Sequence, residues 1–194
     1  MKIIGVTGSS GSGKSTVSKM ICDELNVKII DADKIAKKMQ KPGNEYYKKI
    51  VELFGKDYLM PDKSLNREKI AKLIFEDGSK KQLLDELTKK YVVEEIKSEI
   101  DKMKDDFIVL DVPLLIESNL NNLCDIVIGV VANYDIKIDR ICKRDNIKKE
   151  NAILRLSSQK TNEFYEENVD YIVENNGGNY DKLLGRIREI LQNL

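Results

Sequence analysis

Gly8-Ser9-Ser10-Gly11-Ser12-Gly13-Lys14-Ser15 is the stretch that decides the fold, because it fits the phosphate-loop pattern G-x-x-x-x-G-K-[ST]. Before it, the β-branched run 2–6 predicts a strand, and after it apolar residues at helical spacing in 15–25 predict a helix. Such a loop binds phosphate through its backbone N–H groups. Lys14 is expected to reach the β- and γ-phosphates, and the Ser15 hydroxyl can bind Mg²⁺.

The loop does not fit the rival phosphate-binding pattern, the dinucleotide fingerprint. That pattern needs a third glycine or an alanine where this chain has Lys14-Ser15-Thr16. The sequence therefore predicts a nucleoside triphosphate and Mg²⁺ as ligands, without deciding what accepts the phosphate.

Composition excludes several other classes of protein. The 194 residues include 33 Lys and Arg against 33 Asp and Glu, so no net basic charge favours nucleic acid or a membrane surface. The chain has no histidine, which excludes Ser-His-Asp and Cys-His catalysis and imidazole metal ligands. No apolar run is long enough to span a bilayer, and the start of the chain lacks the features of a signal peptide. We expect a cytoplasmic protein that binds neither nucleic acid nor a membrane.

Strands alternate with helices over most of the chain. Further strands are predicted at 27–30, 107–110, 125–131 and 171–173, and 44–103 is helical apart from breaks near Pro61 and Asp77. Helices are also predicted at 135–144, 148–159 and 181–191. This alternation predicts an α/β fold with a mostly parallel, doubly wound sheet, and it marks part of 44–103 as a helical insertion.

Asp31-Ala32-Asp33 follows the second predicted strand, at the edge where open α/β sheets bind ligands. A carboxylate there can orient an acceptor hydroxyl and accept its proton during phosphoryl transfer. The alternative is that Asp33 only caps the following helix. Both roles are possible if different aspartates fill them.

Asp111-Val112-Pro113-Leu114-Leu115-Ile116-Glu117 follows the third core strand. Phosphate-loop proteins commonly keep an acidic residue near the metal at this point, which makes Asp111 the candidate. We expect 113–116 to be scaffold, in which Pro113 fixes the chain direction and 114–116 pack, and the role of Glu117 stays open.

Three arginines, Arg140, Arg144 and Arg155, lie on the charged helices between the fourth and fifth strands. The planar guanidinium binds phosphate oxygens in pairs, so these residues can form a lid over a triphosphate. The alternative is that they form ordinary ion pairs on the surface.

At this point the chain resembles the dephospho-CoA kinases over essentially its whole length. The most specific matches are Ile30-Asp31-Ala32-Asp33 and Asp111-Val112-Pro113-Leu114-Leu115-x-Glu117. Other matching blocks are Leu65-Asn66-Arg67, Ile74-Phe75, Arg140 with Arg144-Asp145, Arg155 with Gln159, Asp170-Tyr171-Ile172-Val173 and Asn175-Asn176-Gly177.

The resemblance implies transfer of the ATP γ-phosphate to the ribose 3′-hydroxyl of dephospho-CoA, with Mg²⁺ as cofactor. It implies a single kinase domain with a five-stranded, three-layer core (1–59, 106–139, 166–194), a helical CoA-binding insertion near 60–105 and a lid near 140–165.

The implied catalytic residues are Asp33 as base, Lys14, Arg140 and Arg144. The implied ATP-binding residues are Gly8, Gly11, Ser12, Gly13, Lys14, Ser15, Thr16, Arg144 and Asn175. We assign Asp33, Arg67, Asp111 and Leu114 to the substrate, and Ser15 and Asp111 to the metal, the latter directly or through water.

The chain departs from the family pattern at three places. Ser9-Ser10 replaces the usual Gly-Ile and is similar to the pair found at this point in uridine kinases. Lys89-Lys90 replaces the usual His-Pro, and Lys137 replaces the usual glutamine. Two alternatives follow, namely another small-molecule kinase such as a nucleoside kinase, and a nucleotide-dependent binding module. The chain has no guanine-reading Asn-Lys-x-Asp pattern, which counts against a switch.

Overall fold

The computed structural model describes residues 1–194 and has a five-stranded sheet at its centre. The strands in chain order are β1 (Lys2–Thr7), β2 (Ile29–Asp31), β3 (Phe107–Asp111), β4 (Ile126–Val131) and β5 (Tyr171–Glu174). Their order in the sheet is β2-β3-β1-β4-β5, and β1 pairs in parallel with both β3 and β4, as β4 does with β5. The chain thus winds first to one side of β1 and then to the other, which confirms the predicted doubly wound, mostly parallel five-stranded sheet.

Nine α-helices connect or follow these strands. They are α1 (Lys14–Leu25), α2 (Ala32–Met39), α3 (Glu45–Phe54), α4 (Arg67–Glu76), α5 (Gly78–Lys102), α6 (Tyr134–Asp145), α7 (Lys149–Ser157), α8 (Asn162–Asn168) and α9 (Tyr180–Leu191). Short 3₁₀ helices lie at Lys56–Tyr58 and Leu120–Leu123. The sequence did not predict α8, whose seven polar-rich residues bury only Tyr165 and leave no clear apolar period.

The main core lies between the sheet and the helices α1 and α9. Strand residues such as Ile4, Val6 and Ile128 are fully buried there against Val17 and Ile187. Burial of each such aliphatic side chain stabilises the fold by about 1.5–3 kcal/mol. Because these strands are buried on both faces, they carry nearly continuous runs of Ile and Val, and this is why the sequence located them.

The chain divides into two compact units. The first comprises Met1–Ile30 and Met103–Leu194, and the second is Asp31–Lys102. The predicted limits of the insertion (60–105) and of the lid (140–165) stay predictions. No helix in the chain combines the length and the apolar character that a bilayer span requires.

The second unit contains the helices α2 to α5. Its breaks fall where the sequence placed them, since α4 ends at Glu76 and Asp77 precedes α5. An isolated antiparallel bridge joins Leu59 and Leu65 across the turn that contains Pro61. Tyr46 ties α3 to α5, because its hydroxyl lies 2.8 Å from that of Thr88.

Candidate active site

The phosphate loop joins β1 directly to α1. Gly11 and Gly13 have φ values of +78° and +89°, a region that L side chains rarely adopt. A Cβ on Gly11 would lie 2.5 Å from the Lys137 carbonyl oxygen, and one on Gly13 would lie 2.0 Å from Asn175 Nδ2. Both the backbone angle and the close neighbours therefore require glycine at these two positions.

The polar residues of the loop meet different surroundings. The Ser12 side chain is fully buried, and its Oγ has no hydrogen-bond partner. Ser15 and Thr16 are exposed in the first turn of α1, the end of a helix at which backbone N–H groups have no carbonyl partner one turn earlier. This turn presents a positive helix end and two hydroxyl groups, a suitable setting for phosphate and for a metal bound to phosphate.

Lys14 forms an ion pair with Asp111 across the ends of two neighbouring strands. The parallel register of β1 and β3 places Val6 opposite Asp111, so the phosphate loop and the acidic residue leave the sheet side by side. The side chains of Lys14 and Asp111 are only 13% and 5% exposed. The structure thus brings together the loop lysine and the predicted metal-side carboxylate.

Arg140, on α6, lies against the phosphate loop. Its Nη1 donates to the carbonyl oxygens of Gly11 at 3.0 Å, Ser12 at 3.2 Å and Asn175 at 2.9 Å. Its Nη2 donates to Asn175 Oδ1 at 3.3 Å. These contacts hold the loop and Asn175 in one arrangement, a positioning role that the sequence did not predict.

Arg144 and Arg155 both interact with Asp145. Arg144 donates from Nε and Nη2 at 2.8 and 2.9 Å, and Arg155 forms a second ion pair with the same carboxylate. Hydrogen bonds from Arg144 and Arg155 lower the pKa of Asp145 to about 2. Both arginines are more than 40% exposed, so this arrangement matches the ion-pair alternative.

The segment after β5 borders a cavity of about 570 Å³. Asn175 continues the ladder, since its N–H donates to the Val131 carbonyl at 2.8 Å. Asn176 accepts from the N–H of Asn133 at 2.7 Å, which fixes the loop next to the start of α6. The cavity runs from Thr16 of α1 past Asn176 to Lys182, so it borders the helix that follows the phosphate loop and the segment that contains Asn175, a predicted ATP-binding residue.

A second cavity, of about 240 Å³, lies beside the first half of the loop. It is lined by Ser9, Ser10, Pro113, Leu114, Glu117, Gln159 and Tyr165, among others. Gln159 fixes this side, because its Oε1 accepts from Ser10 N at 2.8 Å and its Nε2 donates to Ser10 Oγ at 3.1 Å. Burial, with a smaller effect of Glu117, raises the pKa of Tyr165 to about 12, so its hydroxyl stays protonated.

The expectation that the whole run 114–116 packs is wrong for Leu114. Leu115 is fully buried, whereas Leu114 is 59% exposed and lines the second cavity. The turn after Pro113 places consecutive leucines on opposite sides, which periodicity alone could not show. Gln159 belongs to a block that resembles the family, but nothing in the sequence indicates its contact with Ser10.

In the second unit, the structure separates the two aspartates of the Asp-Ala-Asp block. Asp31 is the N-cap of α2, and its Oδ1 accepts from Lys34 N at 3.0 Å. Asp33 is exposed in the first turn and does not cap the helix, so the capping alternative was wrong for this residue. Arg67 is likewise exposed, as the first residue of α4.

Comparisons with known proteins agree with this architecture. The family model of dephospho-CoA kinase matches residues 2–181. The dephospho-CoA kinase of Listeria monocytogenes serovar 1/2a is 38% identical over 179 residues, which cover 90% of this chain and 88% of the relative.

Two solved structures extend the likeness to the fold. The dephospho-CoA kinase from Campylobacter jejuni is 28% identical with a TM-score of 0.68, covering 99% of this chain and 96% of that one. A protein from Thermus thermophilus has a TM-score of 0.85 at 24% identity, covering 100% and 97%, which is a likeness of fold. These matches confirm the resemblance seen in the sequence, and the chain belongs to the dephospho-CoA kinase family.

Proposed function

We propose that the protein transfers the γ-phosphate of ATP to the ribose 3′-hydroxyl of dephospho-CoA, giving CoA and ADP. The observation that carries this proposal is the Lys14–Asp111 pair beside a glycine-dependent phosphate loop, in a chain of the dephospho-CoA kinase family. The comparisons do not favour the nucleoside-kinase alternative suggested by Ser9-Ser10.

The loop and Lys14 bind the triphosphate. Phosphate oxygens compete with Asp111 for the Lys14 ammonium, and the first turn of α1 adds backbone donors and the positive end of its dipole. A loose phosphoryl transition state spreads negative charge over the equatorial oxygens, so a fixed cation at Lys14 stabilises it more than the ground state. Gly8, Gly11, Ser12, Gly13 and Thr16 complete the ATP side, and Asn175 lies next to Gly13.

Mg²⁺ fits the donor set at the start of α1. The exposed Ser15 hydroxyl and the Asp111 carboxylate are hard oxygen ligands of the kind that this ion prefers. When bound, the ion neutralises charge on the β- and γ-phosphates. Asp111, released from Lys14 by phosphate, is positioned to hold the ion directly or through water.

Asp33 is proposed as the base that orients the acceptor hydroxyl and takes its proton. Its exposure and its freedom from the capping role, which Asp31 fills, support this assignment. Arg67 and Leu114 are proposed to contact dephospho-CoA together with Asp111. The exposed Arg67 offers a guanidinium for the anionic substrate, and the exposed Leu114 offers an apolar surface.

The arginines of the proposed lid near 140–165 act in two ways. Arg140 keeps the loop and Asn175 in the binding arrangement through its four hydrogen bonds. Arg144 and Arg155 are proposed to exchange Asp145 for nucleotide phosphate when the lid closes. The insertion near 60–105 is proposed to bind CoA, and the cytoplasm is the proposed location.

An ADP-release assay tests the reaction. Purified protein with Mg-ATP is given dephospho-CoA, uridine, cytidine monophosphate or no acceptor, and mass spectrometry locates the new phosphate. Turnover with dephospho-CoA alone, with the phosphate on the ribose 3′-oxygen, supports the proposal. Turnover with a nucleoside, or ATP binding with no acceptor turned over, contradicts it.

A further inference from the structure

A second lysine lies behind the phosphate loop. Lys137, on α6, is only 5% exposed, although lysine is seldom buried without a partner. Its Nζ donates to Asn162 Oδ1 at 2.9 Å and to Ser9 Oγ at 3.3 Å. Asn162 is itself fixed, because its Nδ2 donates to the Ala132 carbonyl at 3.0 Å.

The partners of this ammonium are neutral oxygens. Burial lowers the pKa of Lys137, and the opposing effect of Glu163, one residue beyond Asn162, is smaller. A buried cation that has no carboxylate in contact still attracts other negative groups nearby through its electric field. Ser9, which accepts its hydrogen bond, is the second residue of the loop and is also only 5% exposed.

The same stretch of α6 contacts the loop along most of its length. The Lys137 carbonyl oxygen lies so close to Gly11 that a Cβ on Gly11 would be only 2.5 Å from it. One turn later, Arg140 donates to the carbonyls of Gly11 and Ser12. Lys137 is therefore part of a rigid support under the loop and not a side chain that can move freely into solvent.

We propose that Lys137 is a positioning residue for the triphosphate: its ammonium adds a fixed positive charge behind the loop and holds the Ser9 hydroxyl in place. This inference rests on the proposed binding of ATP and deepens it. The charge acts through the loop on phosphate, so it favours ATP over ligands that lack phosphates. The competing interpretation is a structural lysine that only joins α6 to α8.

The test compares Lys137→Met, which removes the charge at similar volume, with Lys137→Gln, which removes the charge but keeps a donor for Ser9. Lys19→Met is the matched control, because Lys19 is exposed on α1 and its charge is screened by solvent. Calorimetry gives the Kd of ATP, ADP and adenosine for each variant without an acceptor, and thermal unfolding checks the fold. Steady-state kinetics separate KM for ATP from kcat.

We expect both Lys137 variants to bind ATP roughly tenfold more weakly, with adenosine affinity unchanged and the larger kinetic effect in KM. Lys19→Met should match the parent protein. ATP affinity within about twofold of the parent in both variants overturns the proposal. So does an equal loss for ATP and adenosine with a lower unfolding temperature, or a loss in Lys137→Met that Lys137→Gln restores, because these outcomes assign Lys137 to structure or to hydrogen bonding alone.

The test of Lys137 does not depend on the outcome of the acceptor assay. The binding measurements need only ATP and its analogues, so they stand even if dephospho-CoA is not phosphorylated. Failure of the acceptor assay would contradict the proposed function, and failure of the affinity difference would contradict the role of Lys137.

Discussion

Lys14 and Asp111 are 97 residues apart in the chain, and their side chains form a largely buried ion pair at the ends of β1 and β3. This pair joins the phosphate loop to the proposed metal side of the site. It also keeps an ammonium next to the loop, which is proposed to exchange its carboxylate partner for phosphate. The same two residues therefore contribute an ion pair to the fold and are the proposed phosphate and metal contacts.

A double-mutant cycle on this pair should separate the two roles. Lys14→Met leaves a buried carboxylate without its cation, so we expect a loss of about 3 kcal/mol in unfolding free energy. Adding Asp111→Asn should recover most of that loss, because the unpaired charge is gone. Turnover should stay at least roughly 100-fold lower in both variants, since the cation that faces phosphate is missing. Urea unfolding and ADP release measure the two effects, and a double variant with normal turnover would remove Lys14 from the mechanism.

Asp33→Asn should lower kcat far more than it weakens ATP binding. The amide cannot accept the proton of the acceptor hydroxyl, whereas nothing in the proposed ATP contacts is lost. Asp31→Ala is the matched control, because Asp31 caps α2 and its loss should cost about 1 kcal/mol of stability. ATP titrations of turnover provide kcat and KM. An unchanged kcat in Asp33→Asn refutes the base assignment.

Gly13→Ala should abolish ATP binding. Its φ of +89° disfavours alanine, and the new Cβ would lie 2.0 Å from Asn175 Nδ2, so the loop must change shape. Gly185→Ala is the matched control, because Gly185 lies in the middle of α9 and a Cβ added there would meet no neighbouring atom within 4 Å. This variant should leave ATP binding unchanged and raise the unfolding free energy by up to about 1 kcal/mol. Calorimetry with ATP and thermal unfolding measure the pair of variants. Normal ATP affinity in Gly13→Ala would show that the loop tolerates a side chain there.

The ion pairs of Arg144 and Arg155 with Asp145 lead us to expect that nucleotide binding changes how easily the proposed lid is cleaved. A non-hydrolysable ATP analogue should slow tryptic cleavage after Arg155, and Asp145→Asn should speed the basal cleavage by removing the carboxylate that pairs with Arg155. Cleavage rates that ignore the analogue would argue against a moving lid.

The same ion pairs define a pH window. Asp145 has a folded pKa of about 2, below its ordinary value of 3.8, so its contribution to stability is complete above about pH 4. That contribution is lost as the pH falls toward 2. Between pH 5 and 8 the effect of Asp145→Asn on cleavage should therefore be constant, and a marked change within this range would contradict the assignment.

Cys124 should resist alkylation in the folded protein. Burial, aided by Asp125 and Asp170, raises its pKa from 9.0 to about 12. At pH 8 its thiolate fraction is then about one in 10⁴ instead of about one in ten, so alkylation should be roughly a thousandfold slower. Iodoacetamide labelling read by peptide mass spectrometry measures this, with the urea-unfolded protein as reference. Equal rates in the folded and unfolded protein would contradict it.

The sequence by itself determined the local features: the phosphate loop, the strands of the buried sheet, and the helices with a clear apolar face. These depend on residues close together in the chain, where spacing and residue type report directly on backbone angles and burial. It also placed Asp31 and Asp33 at the end of the second strand but could not assign the helix cap, because both carboxylates suit that position. The short helix α8 was not predicted, because its sequence has no apolar residues at helical spacing.

Only the tertiary structure decided which distant side chains meet at the loop. Lys14 finds Asp111 because β1 and β3 are neighbours in register, and Arg140, Lys137 and Gln159 reach the loop because α6 and the end of α7 lie beside it. Strand order and helix packing are properties of the whole chain, so no local pattern reports them. That is why the sequence predicts a phosphate site, whereas the contacts that hold the loop in shape are seen only in the fold.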